Sequence, residues 1–140
     1  MRAVKALPQD QSGAAALEFA ILAPVFLMIV FSIIAYGIYL STANTIEQIA
    51  ADAARTAVAG LSEKERQDLA TDYIRVSTLN QTFLDRDKLT VAVKDDSANK
   101  SQFTVTVTYD ASGLPIWTLF SFALPGTEIR RYATIRTGGI

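Results

Sequence analysis

Glu18 is the only charged residue in a long apolar stretch, Ala14–Leu40. A carboxylate held within bilayer hydrocarbon costs about 2.5–3.5 kcal/mol on insertion scales. Pairing with an ammonium group of a neighbouring helix would offset this cost and would favour one docking register. Glu18 also lies only one turn inside the membrane, where a carboxylate can reach headgroup water. We therefore expect Glu18 to be hydrated in the isolated subunit, whereas an unpaired carboxylate among packed apolar helices would be unfavourable.

Other residues suited to catalysis are scarce. The 140-residue chain has no cysteine and no histidine, which excludes thiol nucleophiles, Cys/His zinc sites, haem attachment and Ser-His-Asp triads. Its 13 basic and 14 acidic residues form no basic cluster, so no nucleic-acid partner is predicted. Four carboxylates do not follow the spacing of an EF-hand loop and are interpreted as solvated loop residues: Asp85, Asp87, Asp95 and Asp96. We predict a protein that is not an enzyme and holds no cofactor or metal.

The apolar stretch around Glu18 predicts a transmembrane helix. A helix over Ala14–Leu40 would be roughly 40 Å long at about 1.5 Å per residue, enough to cross a bilayer. Arg2 and Lys5 precede it, and Tyr36 and Tyr39 lie near its far end, where aromatic side chains commonly mark the interface. The predicted topology has a cytoplasmic N-terminus and a C-terminus outside.

The helical pattern continues beyond the membrane, with one stripe of buried positions: Ile46, Ile49, Ala50, Ala53 and Ala57. The small residues of this stripe, with Ala54, would admit a helix of another subunit, and they would equally suit packing on the chain's own sheet. Gly60 is a plausible helix stop, and Ser62 with Glu65 matches a capping box. A second helix is therefore predicted from there to about Asn80. Its expected buried positions are Leu69, Tyr73 and Val76.

The rest of the chain has the alternation typical of strands. Two antiparallel strands are predicted at Leu89–Lys94 and Phe103–Tyr109, joined by the polar loop Asp95–Ser101, and Ile129–Thr137 is a candidate third strand. The apolar segment Leu114–Gly126 is too short to cross a membrane. We expect three of its aromatic residues to fill the small core, with an exposed docking patch as the alternative: Trp117, Phe120 and Phe122. The predicted fold is α+β: a long helix, a second helix and an antiparallel sheet of two to three strands.

The most specific motif is Ser12–Phe19, SGAAALEF, in which a glycine closes a short basic leader and a glutamate follows five residues later. This order resembles a prepilin processing site. More narrowly, Gly13–Pro24 (GAAALEFAILAP), with Phe26-Leu27 and Tyr36-Gly37 downstream, resembles the N-terminus of TadE-like proteins. Those proteins are pseudopilins, which are minor pilin-like components that act in assembly of Flp-type pili by the Tad (tight adherence) system. The resemblance covers roughly the first third of the chain.

The resemblance implies a pilin-like fold and cleavage by a prepilin peptidase between Gly13 and Ala14. Glycine suits the residue before such a cut, because it lets an extended backbone approach catalytic groups. The new amine of Ala14 would then face Glu18 of a neighbouring subunit. The implied organisation is a removed leader (1–13), a transmembrane helix (14–40) and an extracytoplasmic domain (41–140).

The implied location is the bacterial inner membrane, with the C-terminal domain in the periplasm or incorporated in an extracellular pilus. The implied partners are the peptidase, a second pseudopilin, the major pilin, the inner-membrane assembly platform and the lipid bilayer. Pro24 either kinks the helix, as in similar pilin helices, or is simply tolerated in the membrane. The chain departs from many relatives at Ala35 and Tyr36, where they carry an acidic residue beside the aromatic-glycine pair.

Two other hypotheses remain open. In the first, the chain is an unprocessed single-span anchor with a small extracytoplasmic interaction domain, and Gly13 has no special role. In the second, a conventional signal peptide releases a soluble domain. The apolar stretch is too long for such a peptide and lacks a clear small-x-small cleavage site, so this hypothesis ranks third.

Overall fold

The structure is a computed structural model that describes residues 11–77, 84–99, 101–117 and 124–137. Its first element is a single long helix, α1 (Gln11–Ala57). Within the described residues it is the one helix long and apolar enough to cross a membrane. The helix is continuous through Pro24, and it confirms that the apolar stretch and the following amphipathic stretch form one element. Most of the predicted leader, residues 1–10, lies outside the described residues.

A turn after α1 leads into the second helix, α2 (Glu63–Ser77). This helix starts where the capping-box pattern predicts. The Ser62 hydroxyl accepts the backbone N–H of Glu65 at 3.2 Å. The Glu65 carboxylate accepts the N–H of Leu61 at 2.9 Å, which is one residue earlier than in the standard box. Gly60 is buried in this turn, and a Cβ atom there would lie 2.8 Å from both the backbone N and the Cγ of Arg66. Only glycine allows this close approach of the two helices.

The buried face of α2 differs from the sequence prediction. Leu69 and Tyr73 are only half-buried and Val76 is 65% exposed. The buried residues are instead Arg66, Ala70 and Ile74. The prediction was wrong because it followed the large apolar residues and passed over an arginine, whose aliphatic stem can be buried when its charged end finds partners. The predicted end of α2 near Asn80 lies outside the described residues.

Three antiparallel strands form one sheet in the order β1-β2-β3: β1 (Leu89–Asp95), β2 (Gln102–Asp110) and β3 (Glu128–Arg136). This confirms the predicted pair and the third strand. Val91 lies opposite Val107, and Val105 lies opposite Ala133. Every second residue of β2 is buried, namely Phe103, Val105, Val107 and Tyr109. The apolar face of the sheet therefore points to one side.

The second half of α1 and all of α2 cover that apolar face. Helix α1 packs on β2, β3 and α2, while α2 packs on β1. Ile46, Ala50 and Ala53 of α1 are fully buried, as are Ile116 and Ile129. The core therefore lies between one sheet and two helices, so the folded domain is built around the second half of α1.

The connection from β2 to β3 supplies part of the same core. A short 3-10 turn, Ala111–Gly113, follows β2, and Leu114 and Ile116 are buried after it. Trp117 is half-buried, and its indole N–H donates to the carbonyl of Ala111 at 2.6 Å. Its packing against the core agrees with the core-filling interpretation. The other two predicted core aromatics, Phe120 and Phe122, lie outside the described residues.

Candidate functional site

The predicted processing bond, Gly13–Ala14, lies in helical backbone near the start of the described part of α1. Both residues are exposed, and a Cβ atom at Gly13 would have no neighbour within 4 Å. The bond is therefore accessible, but it is helical and not in the extended conformation considered for a peptidase substrate. A peptidase that binds extended chain would have to unwind about one turn of α1 before cutting.

Glu18 stands one helical turn after Ala14 on the same face of α1, because residues four apart are neighbours on a helix. The rise between them is about 6 Å. The Glu18 side chain is exposed, and no ion pair among the described residues reaches it. The Glu18 carboxylate is thus exposed one helical turn after the candidate processing bond.

The surface around Glu18 is apolar on all sides. Large apolar side chains are exposed along this half of α1, from Leu17 at 66% and Phe19 at 72% to Leu40 at 50%. The hydroxyl of Ser32 donates to the carbonyl of Met28 at 2.7 Å, so this polar group is satisfied within the helix, as a lipid environment requires. Little of this surface is covered in the part of the chain that the structure describes, and an apolar surface of this kind suits lipid or other helices around it.

The stripe of small residues in the second half of α1 is buried within the folded domain. Ala50, Ala53, Ala54 and Ala57 are all fully buried against the chain's own domain. Of the two interpretations left open by the sequence, packing on the chain's own sheet and second helix is the one observed. This stripe is therefore not available to a helix of another subunit.

A polar clamp that the sequence reasoning missed joins α2 to the edge of the sheet. The Arg66 guanidinium pairs with Asp95 at 2.5 Å, donates through Nε to the carbonyl of Gly60 at 3.0 Å, and lies 4.9 Å from the centre of the Phe103 ring. The signal was the i, i+4 spacing of Arg66 with Ala70. This clamp fixes the turn after α1 to the last residue of β1.

Next to this clamp, the side chain of Gln67 imitates a fourth strand. Its carbonyl accepts the N–H of Val93 at 2.7 Å and its amide donates to the carbonyl of Val91 at 3.0 Å. The carboxylate of Glu63 accepts the N–H of Asp95 at 3.0 Å. These hydrogen bonds satisfy backbone N–H and C=O groups on the free edge of β1, which would otherwise be available to pair with a strand of another chain.

Three of the four carboxylates considered for calcium have partners within the chain. Asp85 and Asp96 accept backbone N–H groups within their own turns, from Asp87 at 3.1 Å and from Ala98 at 2.8 Å. Asp95 pairs with Arg66. Among the described residues, no group of three or more Asp, Glu, His or Cys side chains is arranged to hold a metal ion.

Among the described residues of the domain, Asp110 and Tyr73 have shifted pKa values. The backbone and hydroxyl groups of Ser112 donate to Asp110 and hold the pKa of that carboxyl below its ordinary value. Burial, followed by the negative charge of Asp52, raises the pKa of the Tyr73 phenol. The Tyr73 hydroxyl lies 3.4 Å from the Asp52 carboxylate. Both shifts come from packing and turn geometry.

A known protein family matches the part of the chain that contains the candidate processing bond and Glu18. The family model described as TadE-like protein matches residues 13–55, which are nearly all of α1. The match confirms the resemblance carried by the Gly13–Pro24 motif, and it shows that residues 13–55 are similar to TadE-like proteins. Neither the curated proteins nor the solved structures include a match to the chain. The family match indicates a role related to the Tad pilus, and the apolar part of α1 is a candidate membrane anchor.

Proposed function

We propose that this chain is a pseudopilin, a minor pilin-like subunit that takes part in assembling a Tad (Flp-type) pilus and has no enzymatic activity of its own. One arrangement carries the proposal. A lone carboxylate, Glu18, stands one turn from an accessible Gly13–Ala14 bond on an otherwise apolar, unpacked helix half. The TadE-like match begins at Gly13.

The steps follow from that arrangement. Positive charges at Arg2 and Lys5 keep the N-terminus in the cytoplasm, where a prepilin peptidase cuts after Gly13. The new amine of Ala14 and the carboxylate of Glu18 then have opposite charges on one helix face. In a bundle of such helices, pairing of Glu18 with the Ala14 amine of a neighbouring subunit favours a fixed axial register, because an unpaired carboxylate among packed apolar helices is costly. The partners in the bundle are a second pseudopilin and the major pilin, at the inner-membrane assembly platform.

Complementation of pilus assembly in the native host tests the proposal. Gly13→Leu should leave the uncut chain in the membrane and abolish assembly, because a bulky side chain blocks close approach at the cut. Ala20→Leu places the same side chain at an exposed position of the same helix and should have no effect. Normal assembly with Gly13→Leu would contradict the proposal.

A second variant separates cleavage from subunit docking. Glu18→Gln should be cut normally but should recover less pilin-like partner on crosslinking, by about tenfold for a loss of about 1.4 kcal/mol. Glu47→Gln is the matched control, because Glu47 is an exposed carboxylate in the second half of α1. Its Oε2 atom lies 3.8 Å from Nε of Arg131. Equal partner recovery with both variants would contradict the role of Glu18.

The unprocessed single-span anchor is the second candidate function. It is favoured by one observation, the helical backbone at Gly13–Ala14, which is a poor conformation for proteolysis. It predicts an intact leader and normal function of Gly13→Leu, so the same variants distinguish the two candidates.

A further inference from the structure

The apolar surface of α1 overlaps the folded domain. Exposed apolar side chains run from Leu17 to Leu40, a rise of roughly 35 Å, which exceeds the hydrocarbon thickness of about 30 Å. Over the last two turns of this surface, Ala35 is 1% exposed and Tyr39 is 8% exposed because the domain packs on them. The domain therefore begins before the lipid-compatible surface ends.

A cleft lies where the two meet, between α1 and the turn that starts at Leu114. Its apolar walls are Ile34 and Ile38 of α1 and Leu114 and Pro115 of the turn, and its volume is about 500 Å³. At the end nearer the domain the lining becomes polar, with Ser41 and Thr42. The cleft thus changes from apolar to polar along the helix axis, in the direction in which a bilayer changes from hydrocarbon to headgroups.

We propose that this cleft is occupied by lipid of the outer leaflet of the membrane, so that the domain rests directly on the bilayer through residues 114–117. The occupant follows from continuity, because Ile34 and Ile38 extend the exposed apolar surface of the candidate membrane span without a break. Measured from Leu17, where the exposed apolar surface begins, Ile34 and Ile38 lie roughly 26 and 32 Å along α1, on either side of the depth at which hydrocarbon gives way to headgroups.

The aromatic residues at this level suit an interface. Tyr36 is 45% exposed on α1, and its ring centre lies 6.4 Å from that of Tyr39. Trp117 is half-buried on the turn, and its one polar group is already satisfied by the carbonyl of Ala111. Tyrosine and tryptophan rings of this kind concentrate at the boundary between hydrocarbon and headgroups.

The inference is independent of the proposed function, since a processed pseudopilin and an unprocessed anchor would both seat the domain in this way while in the membrane. It also removes the excess length of the predicted span. Residues 35–40 contact the folded domain on one face of α1 and the lipid interface on the other. The helix therefore needs no strong tilt to fit the hydrocarbon thickness.

Trp117 is the only tryptophan in the chain and reports directly on its own depth. The full-length protein is reconstituted in phosphatidylcholine vesicles whose acyl chains carry bromine at a shallow or a deep position. We expect shallow bromine to quench Trp117 emission at least about twofold more than deep bromine, as for an interfacial indole. Aqueous acrylamide should quench it weakly.

Two variants sharpen the test. Pro115→Asp places a charge on the wall of the cleft and should lower quenching by shallow bromine, because a carboxylate resists the lipid interface. Ser97→Asp places the same charge on an exposed residue of the loop between β1 and β2, outside the cleft lining, and should leave quenching unchanged. Strong acrylamide quenching without bromine quenching would overturn the proposal. So would bromine quenching that disappears as the protein-to-lipid ratio rises, because a second copy would then occupy the cleft.

Discussion

Arg66→Met should destabilise the domain far more than its position on a surface helix suggests. The Arg66 side chain is 9% exposed and pairs with Asp95, which is 36% exposed. Its Nε donates to the Gly60 carbonyl, and its guanidinium stacks on Phe103. Methionine replaces the aliphatic stem of arginine with an unbranched apolar chain, but it lacks the guanidinium group and therefore all of these polar contacts.

The size of the effect follows from those contacts. A hydrogen bond to a charged group contributes about 1.5–3 kcal/mol, and the lower end applies because solvent screens the half-exposed Asp95. Stacking of the guanidinium on an aromatic ring adds about 0.5–1 kcal/mol, and an unsatisfied Gly60 carbonyl costs about 1 kcal/mol more. Methionine packing recovers part of this, which leaves a loss of about 2–3 kcal/mol. For a domain of this size, that loss lowers Tm by about 10–20 °C.

The assay is thermal unfolding of the full-length protein in detergent micelles, followed by Trp117 fluorescence. Arg75→Met is the matched control, because Arg75 lies on the same helix and its ion pair with Asp72 is 71% and 66% exposed. Such a pair contributes little, so the control should shift Tm by no more than a few degrees. Equal shifts for the two variants would refute the reasoning that burial makes Arg66 important.

Three further predictions concern the same domain. Gly60→Ala should destabilise it by about 1–3 kcal/mol in urea unfolding, because the new Cβ would overlap Arg66. Gln67→Leu should speed hydrogen exchange of the Val93 amide by about tenfold, since the side-chain carbonyl that accepts this N–H at 2.7 Å is lost. Tyr73→Phe should reduce the loss of stability above about pH 10 in a pH series of unfolding curves. Because folding raises the pKa of Tyr73, its phenol contributes fully to folding stability at pH values below its pKa in the unfolded chain. This contribution is lost as the pH rises through its pKa in the folded chain.

Each of these predictions has its own contradicting result. Gly37→Ala adds the same methyl group where no atom lies within 4 Å, and a loss of stability equal to that of Gly60→Ala would exclude the contact with Arg66 as the cause. Unchanged exchange at Val93 would show that the Gln67 side chain does not cap the strand edge. An alkaline stability profile of Tyr73→Phe identical to that of the unaltered chain would show that another group governs the decline.

The fold was predictable where a single pattern determined it. The length of the apolar stretch and the stripe from Ile46 to Ala57 led to one continuous helix, and strict alternation led to β2 and its neighbours. The buried face of α2 was not predictable by the same means. Its position depends on Arg66, and only the packed domain shows that Asp95 and Gly60 are close enough to accept its hydrogen bonds.

The candidate site divides in the same way. The local motif from Gly13 to Glu18 and the family that it resembles could be found from sequence, because all of its information lies within a few residues. The cleft at Ile34 and Leu114 could not, because it joins residues far apart in the chain. Whether Ala50 and Ala53 contact another subunit or the chain's own sheet was equally open, since small residues suit both kinds of packing.

The most direct test of the central claim is the intact mass of the protein purified from its native membrane in cells with an active prepilin peptidase. Processing after Gly13 predicts a chain that begins at Ala14, with or without a methyl group on the new amine. A chain that retains residues 1–13 would contradict the pseudopilin proposal and leave the unprocessed membrane anchor.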